Sequence, residues 1–316
     1  MIQINILVHS TKRMLFTSKS LDFLMKIKDE NKKKIKLLIH VTNLSDINFW
    51  TDKLNSILAC GIDAKIECST FDNIYNNTYN SKIQQSIETN CEYSCSMDDD
   101  IMMSNYLWDY MIENISILDD PKNLFLSPVI SNGIPSVDMF IQDFCNIDET
   151  TIMHDIFNTT HISDMWGVDY SSLNYPKSEW NLEFYEQVRK LQHYYKGIHP
   201  MRVSVQAHVE MAKIICNKYE ELFNKNNYNI QYYKFPYFCN SIYFIKTDIW
   251  KRVINDKTLY RDLYDEVPLN LYRENHNLNM AFVRKGFCIH MAYNTIGKGN
   301  QECVENYIMN TLLPKL

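Results

Sequence analysis

The sequence predicts an α/β fold, a mixed and mostly parallel sheet flanked by helices and carrying a helical insertion. Three observations predict it. Short apolar runs of strand character alternate with segments of helical periodicity through the first third of the chain. The run Ile35 to Val41 is almost wholly apolar, as befits a strand covered on both faces. The stretch Cys91 to Met97 ends abruptly on Asp98-Asp99-Asp100, at the strand end where open α/β sheets bind ligands.

In chain order, Ile2 to His9 alternates like a strand, and Leu21, Leu24 and Met25 share one face of the helix that follows. After the strand Ile35 to Val41, Ser45 or Asp46 can cap a helix carrying Ile47, Trp50, Leu54, Ile57 and Leu58, stopped by Gly61. Ala64 to Cys68 reads as a third strand, Asn80 to Thr89 as a helix, and Tyr93 to Met97 as the fourth strand. A helix near Asn105 to Ile117, a strand Asn123 to Ile130 and a turn Asn132-Gly133-Ile134-Pro135 follow. Two amphipathic helices are expected next, Leu182 to Tyr195 and Val203 to Asn224, the second with Met211, Ile215, Tyr219 and Leu222 on one face. Beyond them come a strand Phe238 to Lys246, short helices Asp248 to Val253 and Val267 to Glu274, strands Met280 to Val283 and Phe287 to Tyr293, and a tail helix. The expected organisation is a single domain over 1–316: a first half 1–130, a helical insertion 150–235, and a second half 236–316.

The bulk composition narrows the class. A chain of 316 residues, 46% hydrophobic and 22% charged, can bury a full core. A net charge of −6 gives no global electrostatic reason for a nucleic-acid partner. No apolar run approaches the roughly 20 residues of a membrane helix. The nine cysteines form no CxxC pair and match no zinc spacing, and the opening strand has no basic flank, so a cytoplasmic protein with reduced thiols is expected. Oligomeric state is not legible.

Three successive carboxylates repel one another, and a strand end that keeps them together implies a cation. A strand sends residues i and i+2 to the same side, so Asp98 and Asp100 are expected to point together out of the sheet and offer oxygen ligands to Mg2+ or Mn2+. Such ions keep positions open for water and phosphates, so the pattern points to phosphate chemistry.

These residues resemble the nucleotide-sugar half of a GT-A-fold glycosyltransferase, whose DxD motif holds a metal on the donor diphosphate. Two later segments strengthen the likeness to family-2-like inverting transferases. Asn240-Ser241-Ile242-Tyr243-Phe244-Ile245-Lys246-Thr247-Asp248-Ile249-Trp250-Lys251-Arg252-Val253 resembles that family's small-residue strand followed by "RRDVFEKVGG", and Asp265-Glu266-Val267-Pro268-Leu269-Asn270-Leu271 resembles "EDVDLSLR". Phe287 to Asn294 resembles the terminal strand that often ends in a metal-binding His. The order fits across roughly residues 1 to 300, the insertion excepted. Pro268 stands where the family has an acidic residue, and Asn43 or Asp46 where it has the acid after the second strand.

The resemblance implies a metal-dependent glycosyltransferase of glycan biosynthesis, taking a UDP- or GDP-linked donor and a glycan or other hydroxyl acceptor. It implies Asp100 as metal ligand, Asp98 sharing the ion or contacting the ribose, and Glu266 as the base, with Asp265 in reserve. His290 is either a third ligand or a satisfied core residue. Asp99, Lys12, Arg13 and Lys82 are candidates for contact with the nucleotide sugar, though a lone Lys or Arg is commonly just solvated. Trp166, Tyr170, Trp180 and Tyr237 offer stacking surfaces for an acceptor, though aromatics in a helical insertion are more often core. A non-catalytic sugar or nucleotide binder on the same fold is the alternative. A sugar nucleotidyltransferase ranks lower, since no Gly-rich turn follows the first strand.

Overall fold

The computed structural model describes residues 1–8, 11–68, 90–160, 199–234, 238, 241–256, 266–292 and 296–316. The helices read at 80–89 and 182–195, and the aromatics Trp166, Tyr170, Trp180 and Tyr237, lie outside the described residues.

The first strands are β1 (Ile2–Val8), β2 (Ile35–Val41), β3 (Asp63–Cys68) and β4 (Tyr93–Asp98). They pair in parallel, β4 and β2 on either side of β1 and β3 outside β2. Helices α1 (Met14–Met25) and the short α2 (Asp29–Lys32) carry the chain from β1 to β2, and α3 (Ile47–Ala59) carries it to β3. Every residue of β1 is buried, so the apolar reading of these strands has its cause in cover on both faces. On α3, Trp50 and Ile57 are buried but Leu58 is exposed, and Gly61 ends the helix at a φ of +92°, where a side chain would be strained.

After β4 come β5 (Ile101–Met103), α4 (Asn105–Glu113), β6 (Asn123–Ile130), α5 (Ser136–Phe144), α6 (Ile147–Thr159), α7 (Val205–Leu222) and β7 (Asn229–Tyr233). The chain closes with β8 (Ile242–Lys246), α8 (Thr247–Asn255), α9 (Glu266–Asn275), β9 (Asn279–His290) and α10 (Lys298–Leu312). Among the described residues the strands form one sheet in the order β3-β2-β1-β4-β8-β6-β9-β5, with β7 also on β9. Strand β8 runs antiparallel between β4 and β6, and β9 is parallel to β6. Two reversals restore direction, so β1, β4, β6 and β9 all end at the same edge of the sheet. The result is the expected mixed α/β, GT-A-like architecture.

Several elements depart from expectation for local reasons. The two strands read at 280–283 and 287–293 are one, β9, which bulges: Pro128 faces Val283, but Val129 faces Phe287. Lys285 turns the bulge at a φ of +58°. The helix from Asn105 stops at Glu113 and continues as a 3-10 turn, Ile115–Asp119. Helix α5 is hidden behind the Gly133-Ile134-Pro135 turn, and α6 buries only Met153, Ile156 and Phe157 while Ile147 and Ile152 stay exposed. Strand β7 is mostly exposed and shows no clean alternation. Helix α7 buries Met211, Ile215 and Leu222 in the cluster that also holds Phe282 and Phe287 of β9.

Gly286 is required in the bulge: a Cβ there would lie 2.7 Å from Leu107 Cδ1 and 2.9 Å from the Val283 carbonyl oxygen. Gly286→Ala is therefore expected to lose about 1–3 kcal/mol of stability. Gly299→Ala, which meets nothing within 4 Å, should be neutral or gain up to about 1 kcal/mol. Urea unfolding of both variants checks the contrast.

Candidate active site at the carboxyl edge of the sheet

Strand β4 ends at Asp98, and Asp99-Asp100 form a turn before β5 begins. The strand therefore ends two residues short of Asp100, and alternation does not link Asp98 to it. What positions Asp100 is the pairing that follows. Ile101 stands opposite His290 in the antiparallel β5–β9 ladder, and Met291 N donates to the Asp100 carbonyl at 3.2 Å. Asp99 is fully buried, Asp100 and His290 nearly so, and Asp98 is half-buried.

Burying these carboxylates demands a cation, and the chain supplies one. Arg13, at the start of α1, sets Nη1 3.2 Å from Asp99 Oδ1 and 2.9 Å from Asp100 Oδ2. Its Nη2 lies 2.6 Å from Glu305 Oε1 on α10, and Gln301 Nε2 donates to that same oxygen at 2.7 Å. Burial opposes the charge on Arg13, but Asp100, Asp99 and Glu305 outweigh it and raise its pKa. Thr17 Oγ1 donates to the Asp99 carbonyl at 2.6 Å, a second tie between α1 and the turn.

His290 Nε2 lies 3.4 Å from Asp100 Oδ2, the oxygen that Arg13 also approaches. Its Nδ1 meets Asn132 Oδ1 at 2.7 Å. Burial works against the imidazolium, yet the charge and hydrogen bond of Asp100, with Asp98 beyond, raise the His290 pKa. The neighbouring His208 of α7 goes the other way. Burial, then the charge of His290, push it down to about 3 against a hydrogen bond with the Met201 backbone.

Beside the cluster a cavity of about 330 Å3 is lined by Lys12, Arg13, Met291, Glu302, Glu305 and Met309 among others. Lys12 crosses it to Glu302 at 2.7 Å, an exposed pair of little energetic weight. Past β2, Asp46 Oδ2 accepts from Thr11 Oγ1 at 2.8 Å, and Asn43 Nδ2 donates to the same hydroxyl at 2.9 Å.

Of the residues expected from sequence, Asp98, Asp99, Asp100, Arg13 and His290 thus meet at one edge, while Lys12 sits on the cavity wall. Glu266 is the first residue of α9, and its side chain is not among those described; Asp265 and Lys82 lie outside the described residues. Sequence reading missed Glu305, Asn132 and Thr17. Only Asn132 carried any signal, as the polar residue opening a Gly-Pro turn just past a strand end.

Asp100 and His290 supply oxygen and imidazole donors, a set suited to Mn2+, and ions of this kind are commonly held by one or two protein groups plus water and phosphate. Among the described residues no three His, Cys, Asp or Glu side chains are grouped to hold an ion. Asp100 and His290 are the two donors that lie together at this edge.

No family model matches the chain, and no curated protein does. It is similar in structure to the mannosyltransferase PcManGT from Pyrobaculum calidifontis, solved with GDP-Man and Mn2+. That match has 11% identity and a TM-score of 0.33, and covers 43% of this chain and 37% of the other. It is also similar to GalNAc-T7, solved with UDP, GalNAc and Mn2+, at 9% identity and a TM-score of 0.43, covering 92% of this chain and 42% of the other. The chain matches about two fifths of the length of each. With both scores below one half, the fold assignment rests on strand order and register.

The His208 shift fixes a pH dependence. Its folded pKa lies below the unfolded value of about 6.5, so its contribution is whole above that pH and drains away as pH falls toward 3. The slope is on the order of 1 kcal/mol per pH unit. His290, raised, acts oppositely, contributing fully below about 6.5 and losing that as pH rises through its folded value. Comparing His208→Gln with wild type largely cancels the His290 part. Between pH 7 and pH 5 the variant should gain on the order of 1–2 kcal/mol relative to wild type in urea unfolding. An identical gap at both pH values would refute the assignment.

Proposed function

We propose that this chain is a metal-dependent glycosyltransferase, moving a sugar from a UDP- or GDP-linked donor to a glycan or other hydroxyl acceptor with inversion at the anomeric carbon. The observation that carries the reading is the convergence of Asp100 Oδ2 and His290 Nε2, 3.4 Å apart, beside a cavity walled by Lys12 and Arg13. Oxygen and imidazole donors at a sheet edge suit a diphosphate brought in with a divalent ion, and the neighbouring Lys12 and Arg13, now paired with Glu302 and Glu305, are the cations at hand for it.

Asp100 and His290 hold the ion in this reading, with Asp98 at the open side sharing it or meeting the ribose. A bound Mn2+ or Mg2+ supplies Lewis-acid stabilisation of the leaving diphosphate. Lys12 and Arg13 would offset the negative charge gained by the departing nucleoside diphosphate once they exchange Glu302 and Glu305 for its phosphates. Glu266 opens α9, and a helix N-terminus favours an ionised carboxylate. As general base it takes the proton of the acceptor hydroxyl during attack, with Asp265 in reserve. The half 1–130 then serves the nucleotide sugar, 150–235 the acceptor, and 236–316 the catalytic groups, in a cytoplasmic enzyme of glycan biosynthesis.

Calorimetry with UDP- and GDP-sugars, with and without Mn2+, tests the reading together with release of nucleoside diphosphate. Asp100→Asn should weaken Mn2+-dependent nucleotide binding at least about tenfold. Glu266→Gln should keep donor binding and lower transfer by about 10²–10⁴. Binding without any turnover in wild type would favour a non-catalytic nucleotide or sugar binder. Absence of Mn2+-dependent nucleotide binding ends the transferase reading.

A further inference from the structure

We infer that Arg13 is an internal competitor for the ion position on Asp100, and that Glu305 of the tail helix α10 receives its guanidinium when the ion enters. The inference rests on the metal reading of Asp100 and His290. Its root is a shared atom. Arg13 Nη1 lies 2.9 Å from Asp100 Oδ2, and His290 Nε2 approaches that oxygen at 3.4 Å from β9. A divalent ion bonds a carboxylate oxygen at about 2.0–2.2 Å. A guanidinium on the same oxygen would then stand within a few ångströms of a double positive charge, in a buried site where water screens little. The two cations exclude one another.

Arg13 has somewhere to go. Its second nitrogen is already 2.6 Å from Glu305 Oε1, and Asp99 Oδ1 lies 3.2 Å from the first. Letting go of Asp100 leaves the guanidinium with two carboxylates, so the buried charge is never stranded. Arg13 and Glu305 both line the cavity, so a guanidinium displaced from Asp100 toward Glu305 turns toward the space a diphosphate would fill. Ion entry at Asp100 thereby prepares an anion contact. By reciprocity the bound diphosphate strengthens the ion. In the absence of an ion the same arginine keeps the acidic turn neutralised, which protects the fold from its own carboxylates. Arg13 is in this sense a positioning residue for the ion, acting through Asp100, and α10 is part of the site.

The test is Mn2+ binding by calorimetry without nucleotide, followed by UDP and GDP binding in saturating Mn2+. Arg13→Gln should bind Mn2+ about tenfold tighter than wild type, and the nucleoside diphosphate about tenfold weaker. Glu305→Gln, which removes neither proposed metal donor, weakens the receiving site and should lower Mn2+ affinity about threefold. A purely structural arginine predicts unchanged or weaker Mn2+ binding in Arg13→Gln, and that result overturns the inference while leaving the transferase reading intact if wild type still binds the ion. Should Arg13→Gln fail to fold, Glu305→Gln decides alone, and unchanged or tighter Mn2+ binding there overturns it. Mn2+ binding by Arg13→Gln but not by wild type supports the competitor in its strongest form. No Mn2+ binding by either protein removes both this inference and the metal reading.

Discussion

The contact between Arg13 and the Asp98–Asp100 turn is the constraint on which the rest of this molecule depends. Taking a carboxylate out of water costs several kcal/mol unless it is paired and hydrogen-bonded, and Asp99 is wholly buried. One guanidinium meets this demand for two of the three aspartates and extends to Glu305. The same contact therefore joins three distant parts of the chain: the turn after β1, the turn after β4, and the tail helix. It also explains why the acidic run survives in a folded chain, a puzzle in the sequence alone.

Register does the remaining positioning. Strand β5 has three residues and is too short to hold anything in place unaided. Its ladder with the end of β9 sets His290 opposite Ile101. Upstream, the bulge at Arg284 to Gly286 resets β9 against β6 so that Cys288 faces Ile130. Two residues on, His290 then reaches the turn that follows β6, where its backbone N donates to Ser131 Oγ at 3.4 Å and its Nδ1 finds Asn132. A bulge next to a candidate site is a common way to re-aim one side chain without disturbing the sheet. Gly286 permits it, because Leu107 and Val283 occupy the space a side chain would need.

What the sequence disclosed follows from how local each cause is. Strands β1, β2 and β6 were legible because both their faces are buried and their residues are correspondingly apolar. The acidic run was legible as a chemical anomaly at a strand end, and it does lie at the carboxyl end of β4. The geometric argument from alternation did not hold, because the turn starts at Asp99. Glu305 was invisible: it lies 292 residues from Arg13 in sequence, on a helix whose pattern looks like any solvent-facing tail. Helices α5 and α6 were obscured, one by a turn motif at its start and one by a thin apolar face. Strand β7 lacked alternation since it covers an edge with both faces partly wet. Long-range electrostatics and edge pairing leave no periodic trace, and these built much of the site.

The histidines add the last piece of physical logic. His290 and His208 are neighbours in a buried region, yet their shifts are opposite in sign. Burial penalises both imidazolium forms, so the difference lies in the carboxylates. Asp100 and Asp98 act on His290, whereas His208 feels chiefly lost water and the adjoining positive charge. Positive charge is thus favoured on His290 beside Asp100 and disfavoured on His208. Arg13 likewise holds its high pKa on the same acidic face. The edge is therefore a place where cations compete for few carboxylate oxygens: the Arg13 guanidinium and, in the proposed function, a metal ion held by Asp100 with a neutral His290. If Arg13 and an ion compete there as inferred, the cation on Asp100 Oδ2 changes when the ion enters, and the acidic turn is then more than a static anchor.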